Sequence, residues 1–529
     1  MKSLVVMMKA CLRILRSPRF VLASIAFLGT LLAQSGELGT SDTMHRLQTT
    51  HSFWTSEPPV FPNEYPEFGL IGRNGHLYSW YGMGQSLLMF PPDVAGTYLE
   101  HLSIFDQYAG NDPSIRGVFV SFTTNLLIAV LTALVCFRLL LQFEFALKQA
   151  AAGVLTLLFA TTHLHYSQNM SENNYIFLLT LAGISFQYEW FRTGRKRLLL
   201  IGSLALGLNL LTRLTTALDL LAVAGFLAML LLLERTRFGD VRRQALIYAR
   251  TTIPVYAAFL LIDRIYQFYR FGSFFNTYLS VFAIQQKKLD PSLPAAYPFE
   301  GRFLDGLLGP LFSPEKSIFL FDPLLILSLV ATIFLWKRLS SPVKAFSIAA
   351  WSLLFGYICF YAKYTVWSGD FAWGDRYVST AAQIASLLGV PLLLRYRQQI
   401  AGWLRWAGWV VVAFSVVVQL ASLCFWLPLE IYQMETIGHP TFVIALRFKN
   451  IVAFALGKMD PWGLNNHAMT EDPWDYVHIT SWNFLPFLLG RVGAAPAWVV
   501  NSLKAFWCGG FLVLGGLLLE LRRILRAEP

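Results

Sequence analysis

The chain has 529 residues, of which 55% are hydrophobic and only 14% charged, and its mean hydropathy is +0.51. So few charges cannot cover a soluble protein of this length, which excludes an ordinary globular enzyme and predicts an all-α polytopic membrane protein. The formal net charge of +11 is then a matter of sidedness, because Lys and Arg in short loops mark the cytoplasmic face; it gives no argument for nucleic acid.

Lys2, Lys9, Arg13, Arg16 and Arg19 precede an apolar run that starts at Phe20. A signal peptide has this shape too, but further spans follow and no clean cleavage site precedes Ser35, so a retained anchor is the reading. Runs long enough to cross a bilayer give roughly twelve spans. They lie near 20–36, 116–138, 147–164, 173–191, 197–212, 215–234, 251–270, 316–336, 345–366, 379–395, 403–427 and 496–520. The fifth and sixth form a hairpin through Thr212-Arg213-Leu214-Thr215. Basic residues fall in alternate loops: Arg138 with Lys148; Arg192, Arg195, Lys196 and Arg197; Arg235, Arg237, Arg242 and Arg243; Lys337, Arg338 and Lys344; Arg395, Arg397 and Arg405. The segment 37–115 instead carries Glu37, Asp42, Glu57, Glu64, Glu67, Asp93, Glu100, Asp106 and Asp112 against Arg46 and Arg73. The positive-inside rule therefore predicts a plasma (inner) membrane protein with both termini cytoplasmic and 37–115, 271–314 and 428–495 as long outer loops.

Met83 to Phe105 and Thr441 to Leu456 read as interfacial amphipathic helices. Trp54, Trp80, Trp367, Trp373, Trp462, Trp474 and Trp482 fit an aromatic belt on the same face. The five cysteines, Cys11, Cys136, Cys359, Cys424 and Cys508, lack disulfide or metal spacing and read as buried small side chains. With no repeat and no linker, residues 1–529 form a single membrane-embedded domain.

The residues with chemical potential fall on the outer face. Asp42 follows the first span and is either a helix N-cap or a water-facing carboxylate. Gly72-Arg73-Asn74-Gly75 is a turn; it leads into Tyr78-Ser79-Trp80-Tyr81-Gly82-Met83-Gly84-Gln85, whose glycines let a backbone approach a ligand closely. Arg73 is either solvated or a phosphate ligand. In the Thr162–Glu172 segment, Glu172 suits a helix N-terminus, while His163, His165 and Glu172 keep a divalent metal open; the Asn169-Met170-Ser171 sequon reads as chance. Arg213 at the hairpin tip either snorkels or meets a lipid phosphate. Ser313-Pro314-Glu315-Lys316-Ser317 and Trp373-Gly374-Asp375-Arg376-Tyr377 each place a cation at the start of a helix, where anions are attracted.

In this order, from about residue 20 to 400, these segments resemble the GT-C superfamily of membrane glycosyltransferases, in the bacterial branch related to protein O-mannosyltransferases and the lipid A aminoarabinose transferase. Thr212-Arg213 and Arg270-Phe271-Gly272-Ser273 belong to the same ordered set. The resemblance implies a GT-C-like bundle that transfers a sugar from a polyprenyl-phosphate-linked donor to a hydroxyl acceptor (lipid, glycan or protein) at an outward-facing site, with inversion. It implies Asp42 as general base, with Glu172 orienting the acceptor or sugar and Arg73, Arg213, Lys316 and Arg376 on the donor phosphate. Tyr78, Tyr81, His163, His165, Trp373 and Asp375 would form the substrate pocket. Thr43 stands where many members carry a second acidic residue, which weakens any inherited metal site; no metal ligand is assigned. Leu214 stands where several carry Pro. Two alternatives remain open on the sequence: a secondary transporter or lipid-sugar flippase, and an inactive scaffold of the same fold.

Overall fold

The computed structural model describes residues 17–61, 69–108, 114–168, 172–369, 372–426, 428–435, 438, 441–458, 481–492 and 495–527. Lys2, Lys9, Arg13, Arg16 and Cys11, the acidic Glu64, Glu67 and Asp112, the Asn169-Met170-Ser171 sequon, and Trp462 and Trp474 lie outside the described residues.

Each predicted span coincides with a helix or a helix pair. The first half of the chain gives α1 (Pro18–Ala33), α2 (Ser41–His51), the short hairpin β1 (Gly69–Ile71) and β2 (Leu77–Ser79), α3 (Gly84–Glu100), α4 (Ile115–Gln142), α5 (Leu147–Phe159), α6 (His163–Gln168), α7 (Glu172–Thr193), α8 (Lys196–Thr212), α9 (Ala217–Leu233) and α10 (Phe238–Phe271). The second half gives α11 (Tyr278–Leu289), α12 (Phe303–Phe312), α13 (Ile318–Phe321), α14 (Leu324–Leu335), α15 (Ser341–Tyr361), α16 (Ser379–Ser386), α17 (Gly389–Arg395), α18 (Gly402–Ser422), α19 (Pro428–Glu435), α20 (Val443–Ala455), α21 (Leu485–Val492) and α22 (Ala497–Ala527). Six of these segments are long and apolar enough to cross a membrane. In α10 and α22 only 6% of the most apolar window is buried within the protein. Apolar helices left bare to that degree need lipid as their solvent, so the fold is an all-α membrane bundle.

α7 packs on α8 and α8 on α10, with α1 set between α4 and α22 and α9 against α15. The core holds an aromatic knot of Phe143, Tyr188, Phe226 and Phe346, with ring centroids 5.3–6.3 Å apart. Such contacts add about 0.5–1.5 kcal/mol per pair beyond area burial.

Three spans predicted as continuous are broken. The third divides into α5 and α6, the eighth into α13 and α14, and the tenth into α16 and α17. Polar side chains at the first two breaks supply the hydrogen bonds that the ladder loses. Asp322 accepts from the Thr162 amide (2.7 Å) and the Thr162 hydroxyl (2.9 Å), and Gln383 of α16 donates to the same hydroxyl (3.1 Å). Irregular backbone inside an apolar bundle is tolerated where neighbours satisfy it in this way.

Candidate active site

Local sequence decides where Asp42 points. The N-cap of α2 is Thr40, whose hydroxyl accepts from the Thr43 amide. The capping role is therefore filled two residues earlier, and the Asp42 carboxylate is left to long-range partners. Tyr81 donates its hydroxyl to Oδ1 (2.5 Å), and Arg376 donates Nη1 to Oδ2 (2.7 Å). Burial by itself raises the Asp42 pKa; the nearby Arg376 and Arg46 charges outweigh it, and the carboxyl lies below its ordinary range. Burial, with the adjacent Asp42 charge, pushes the Tyr81 phenol well up. Tyr81 thus stays a neutral donor.

One helical turn after Asp42, Arg46 projects from the same face of α2. It pairs with Glu172, the first residue of α7, and its guanidinium stacks 4.0 Å from the Tyr81 ring centroid. The second oxygen of Glu172 pairs with Arg213, the C-cap of α8. Tyr377 carries both remaining cations, with Arg213 at 5.5 Å and Arg376 at 5.3 Å from its ring centroid. Tyr361 stacks on Tyr377 at 4.4 Å and donates to Thr215. The result is a half-buried row of five charges, Arg376–Asp42 beside Arg46–Glu172–Arg213. Three guanidiniums against two carboxylates leave one net positive charge. Arg46 Nη1 and Arg376 Nε are buried with no hydrogen-bond partner.

The glycines in the Tyr78–Gln85 stretch serve a different contact from the one the sequence suggests. A Cβ on Gly82 would collide with the carbonyls of Leu211 and Thr212, and one on Gly84 with the Thr212 amide and hydroxyl. The close approach is to the C-terminus of α8, and it seats Tyr81 beside Arg213's helix end. Arg270, buried at the end of α10, fastens the same loop by donating to the carbonyls of Ser79 and Tyr81 (3.0 Å to Tyr81).

The structure brings together Asp42, Tyr81, Glu172, Arg213 and Arg376 from five separate stretches of chain. Around them lies a supporting layer. Lys316 donates to the Ala372 carbonyl (3.0 Å), so it braces the loop that carries Arg376. Asp375 accepts from the Tyr377 amide (3.0 Å), and burial lifts its carboxyl to about 7. Trp373 is fully buried between Phe321 (5.0 Å) and His165 (stacked, 5.8 Å). Three predicted members stand apart. Arg73 is exposed over Phe268 (5.3 Å), Tyr78 packs on Tyr269 and Phe271, and His163 faces Phe177 in the core. Among the described residues no three His, Cys, Asp or Glu side chains converge on a metal position, and both oxygens of Glu172 are taken by arginines. The donor set of His163, His165 and Glu172 therefore does not fit a divalent ion.

Sequence reading passed over Arg46 and Tyr377 as site residues. The four-residue spacing from Asp42 was the available signal for the first, and its place beside Arg376 for the second.

No known family's sequence profile matches the chain, and no curated protein matches it. Among solved structures, the chain is similar to the crystal structure of ArnT from Cupriavidus metallidurans bound to undecaprenyl phosphate, with 13% identity over 97% of this chain and 77% of that one, and a TM-score of 0.43.

Proposed function

We propose that the protein transfers a sugar from a polyprenyl-phosphate donor to a hydroxyl acceptor, at the end of the bundle where Asp42 meets Arg376. The observation that carries this reading is the surplus cation in a buried row of charges: a site with one net positive charge and two unpartnered guanidinium nitrogens is suited to an anion. The donor phosphate supplies that anion. The ordered sequence motifs resembling GT-C enzymes supply the reaction class.

Arg376, Arg213 and Arg46 bind the phosphate oxygens, with Lys316 holding the Arg376 loop in place. Glu172 positions Arg46 and Arg213 for that contact. As Arg376 turns from Asp42 to the phosphate, the influence that lowers the Asp42 pKa weakens, and the carboxylate becomes a better base. Asp42 then takes the acceptor O–H proton while the acceptor oxygen bonds to the anomeric carbon. The bond from that carbon to the phosphate oxygen breaks on the opposite face, which inverts the centre. Polyprenyl phosphate leaves with its charge held by the guanidiniums. Donor binding and base strength are coupled by this exchange. No step runs through a metal.

The transport alternative gains one observation, the three interrupted helices. Their polar groups, however, bond to one another: Asp322 has both oxygens on Thr162, and neither is free to carry a passing ion. Asp219 accepts from Tyr357 through one oxygen (3.0 Å), and Asp263 pairs with Arg264 (3.0 Å).

The test is Asp42→Asn in purified membranes supplied with radiolabelled polyprenyl-phosphate hexoses and pentoses. Turnover should fall by about 10²-fold or more, the usual worth of a general base, while donor binding stays within about threefold, since one pair among several polar contacts is altered. Transfer at the wild-type rate would overturn the assignment.

A further inference from the structure

At the opposite end of the bundle lies a second concave feature that the proposed reaction does not use. Helices α14, α15 and α18 diverge around a cavity of about 1060 Å³. It is lined by the apolar Leu329, Ile333, Trp351 and Leu404, with the exposed Trp336 and Trp403 at its mouth. Ile333 is 64% and Trp403 73% exposed, so within the protein nothing covers these walls. α15 alone, at 21 residues, runs about 31 Å between this mouth and the Tyr361–Tyr377 stack. A phosphate held at the charged row therefore lies far from the basic side chains at this groove.

The rim has one sign of charge. Lys337 and Arg338 line the mouth, Lys344 sits 5.7 Å above the Trp336 ring, and no Asp or Glu occurs from Pro323 to Gly369. Arg338 is aimed across the opening, where it donates to Gln399 of the facing loop. Among the described residues no carboxylate pairs with Lys337, Arg338 or Lys344. Tryptophans at the mouth fit the headgroup level of a bilayer, with basic side chains beyond them and an apolar trough behind. Uncompensated cations at that level attract anionic headgroups by about 1 kcal/mol each.

We propose that this groove is a specific site for one anionic diacyl phospholipid. Its phosphate lies between Lys337 and Arg338, and an acyl chain lies along the floor between α14 and α18. A zwitterionic lipid offers the same chains without net charge, so headgroup charge sets the selectivity.

The experiment uses the full-length protein in detergent, titrated with dioleoylphosphatidylglycerol or dioleoylphosphatidylcholine. Native mass spectrometry counts retained lipids, and the thermal unfolding midpoint is followed in parallel. Expected are one tightly retained phosphatidylglycerol and a saturable rise in the midpoint, with phosphatidylcholine much weaker. The double variant Lys337→Gln/Arg338→Gln should raise the half-saturating phosphatidylglycerol concentration by about thirtyfold, the ratio equivalent to about 1 kcal/mol for each basic side chain. Arg242→Gln/Arg243→Gln, two exposed cations on α10 away from the groove, should leave it unchanged. Equal responses to the two lipids, or equal losses in the two double variants, would overturn the site, because both describe a non-specific lipid annulus.

Discussion

Glu430 and Arg447 form an ion pair in which both side chains are fully buried, and breaking it should loosen α19 and α20, which pack beside Trp373. Arg447 donates Nε and Nη2 to the two Glu430 oxygens, each at 2.6 Å, and Nη1 to the carbonyls of Ser422 (2.9 Å), the last residue of α18, and Phe425 (2.7 Å). Asn450 adds a bond to Glu430 (3.0 Å) and two to Gln433. The guanidinium also lies 5.1 Å from the Trp373 ring centroid. Glu430→Gln keeps the shape but removes the charge, and turns an NH₂ group toward an N–H donor. Removing one partner of a buried pair costs about 3–5 kcal/mol; the carbonyls that still hold Arg447 place this variant near the lower limit, about 3 kcal/mol. That figure corresponds to a roughly hundredfold larger population of the locally open state. Hydrogen–deuterium exchange across Val443–Ala455, read by mass spectrometry in detergent, should accelerate by about two orders of magnitude. Glu430→Leu/Arg447→Met, which buries no lone charge, should be milder than either single change. Exchange within threefold of wild type in Glu430→Gln, or a double variant as open as the singles, would refute the reasoning.

Tyr81→Phe removes a donor that favours ionised Asp42. The carboxyl then protonates at higher pH, and the acid limb of the kcat/KM profile should move upward in pH; an unmoved limb would argue against Asp42 as the base. Gly84→Ala places a Cβ against the Thr212 amide (2.7 Å) and the Leu208 carbonyl (3.0 Å). Overpacking of this kind costs about 1–3 kcal/mol, so thermal stability and turnover should both fall, whereas Gly225→Ala, with open space at its Cβ and an ordinary helical φ, should leave turnover unchanged. Asp375, lifted from its ordinary 3.8 to about 7 by burial, favours the fold when protonated. Its contribution is complete below about 3.8 and lost as pH rises to about 7, so the wild-type unfolding midpoint should decline over that window and Asp375→Asn should flatten the decline.

The positions of the apolar helices were legible because apolar runs are local in the sequence. Every predicted span has its helix, and the Thr212–Thr215 hairpin turns where its link is placed. The breaks were not legible: Thr162, Asp322 and Gln383 lie in three distant stretches of chain, and only their meeting in space explains the breaks. Four of the charges in the row, Asp42, Glu172, Arg213 and Arg376, could be suspected one by one, because each stands at a helix end on the acidic face. Their pairing could not, since Asp42 and Arg376 are 334 positions apart. Glycine in Gly82 and Gly84 announces a close approach without naming the partner, which proved to be α8. Glu430 and Arg447 carry no periodic signal at all. Buried charge in a polar loop is invisible until the loop is seen folded.

The helix ends themselves explain which cation is free to act. Asp42 in the first turn of α2 and Glu172 at the start of α7 are carboxylates at helix N-termini, and Arg213 is a cation at the C-terminus of α8. Each has the sign its helix dipole favours. Arg376 does not: it precedes the N-terminus of α16, where a positive charge is disfavoured and an anion welcomed. It is retained there by a single carboxylate, Asp42, with the Tyr377 ring beside it. Of the three arginines, Arg376 therefore loses least on leaving its present partner and gains most from an arriving phosphate. In the proposed transfer, that asymmetry gives the exchange its direction, releasing Asp42 only when a donor is in place.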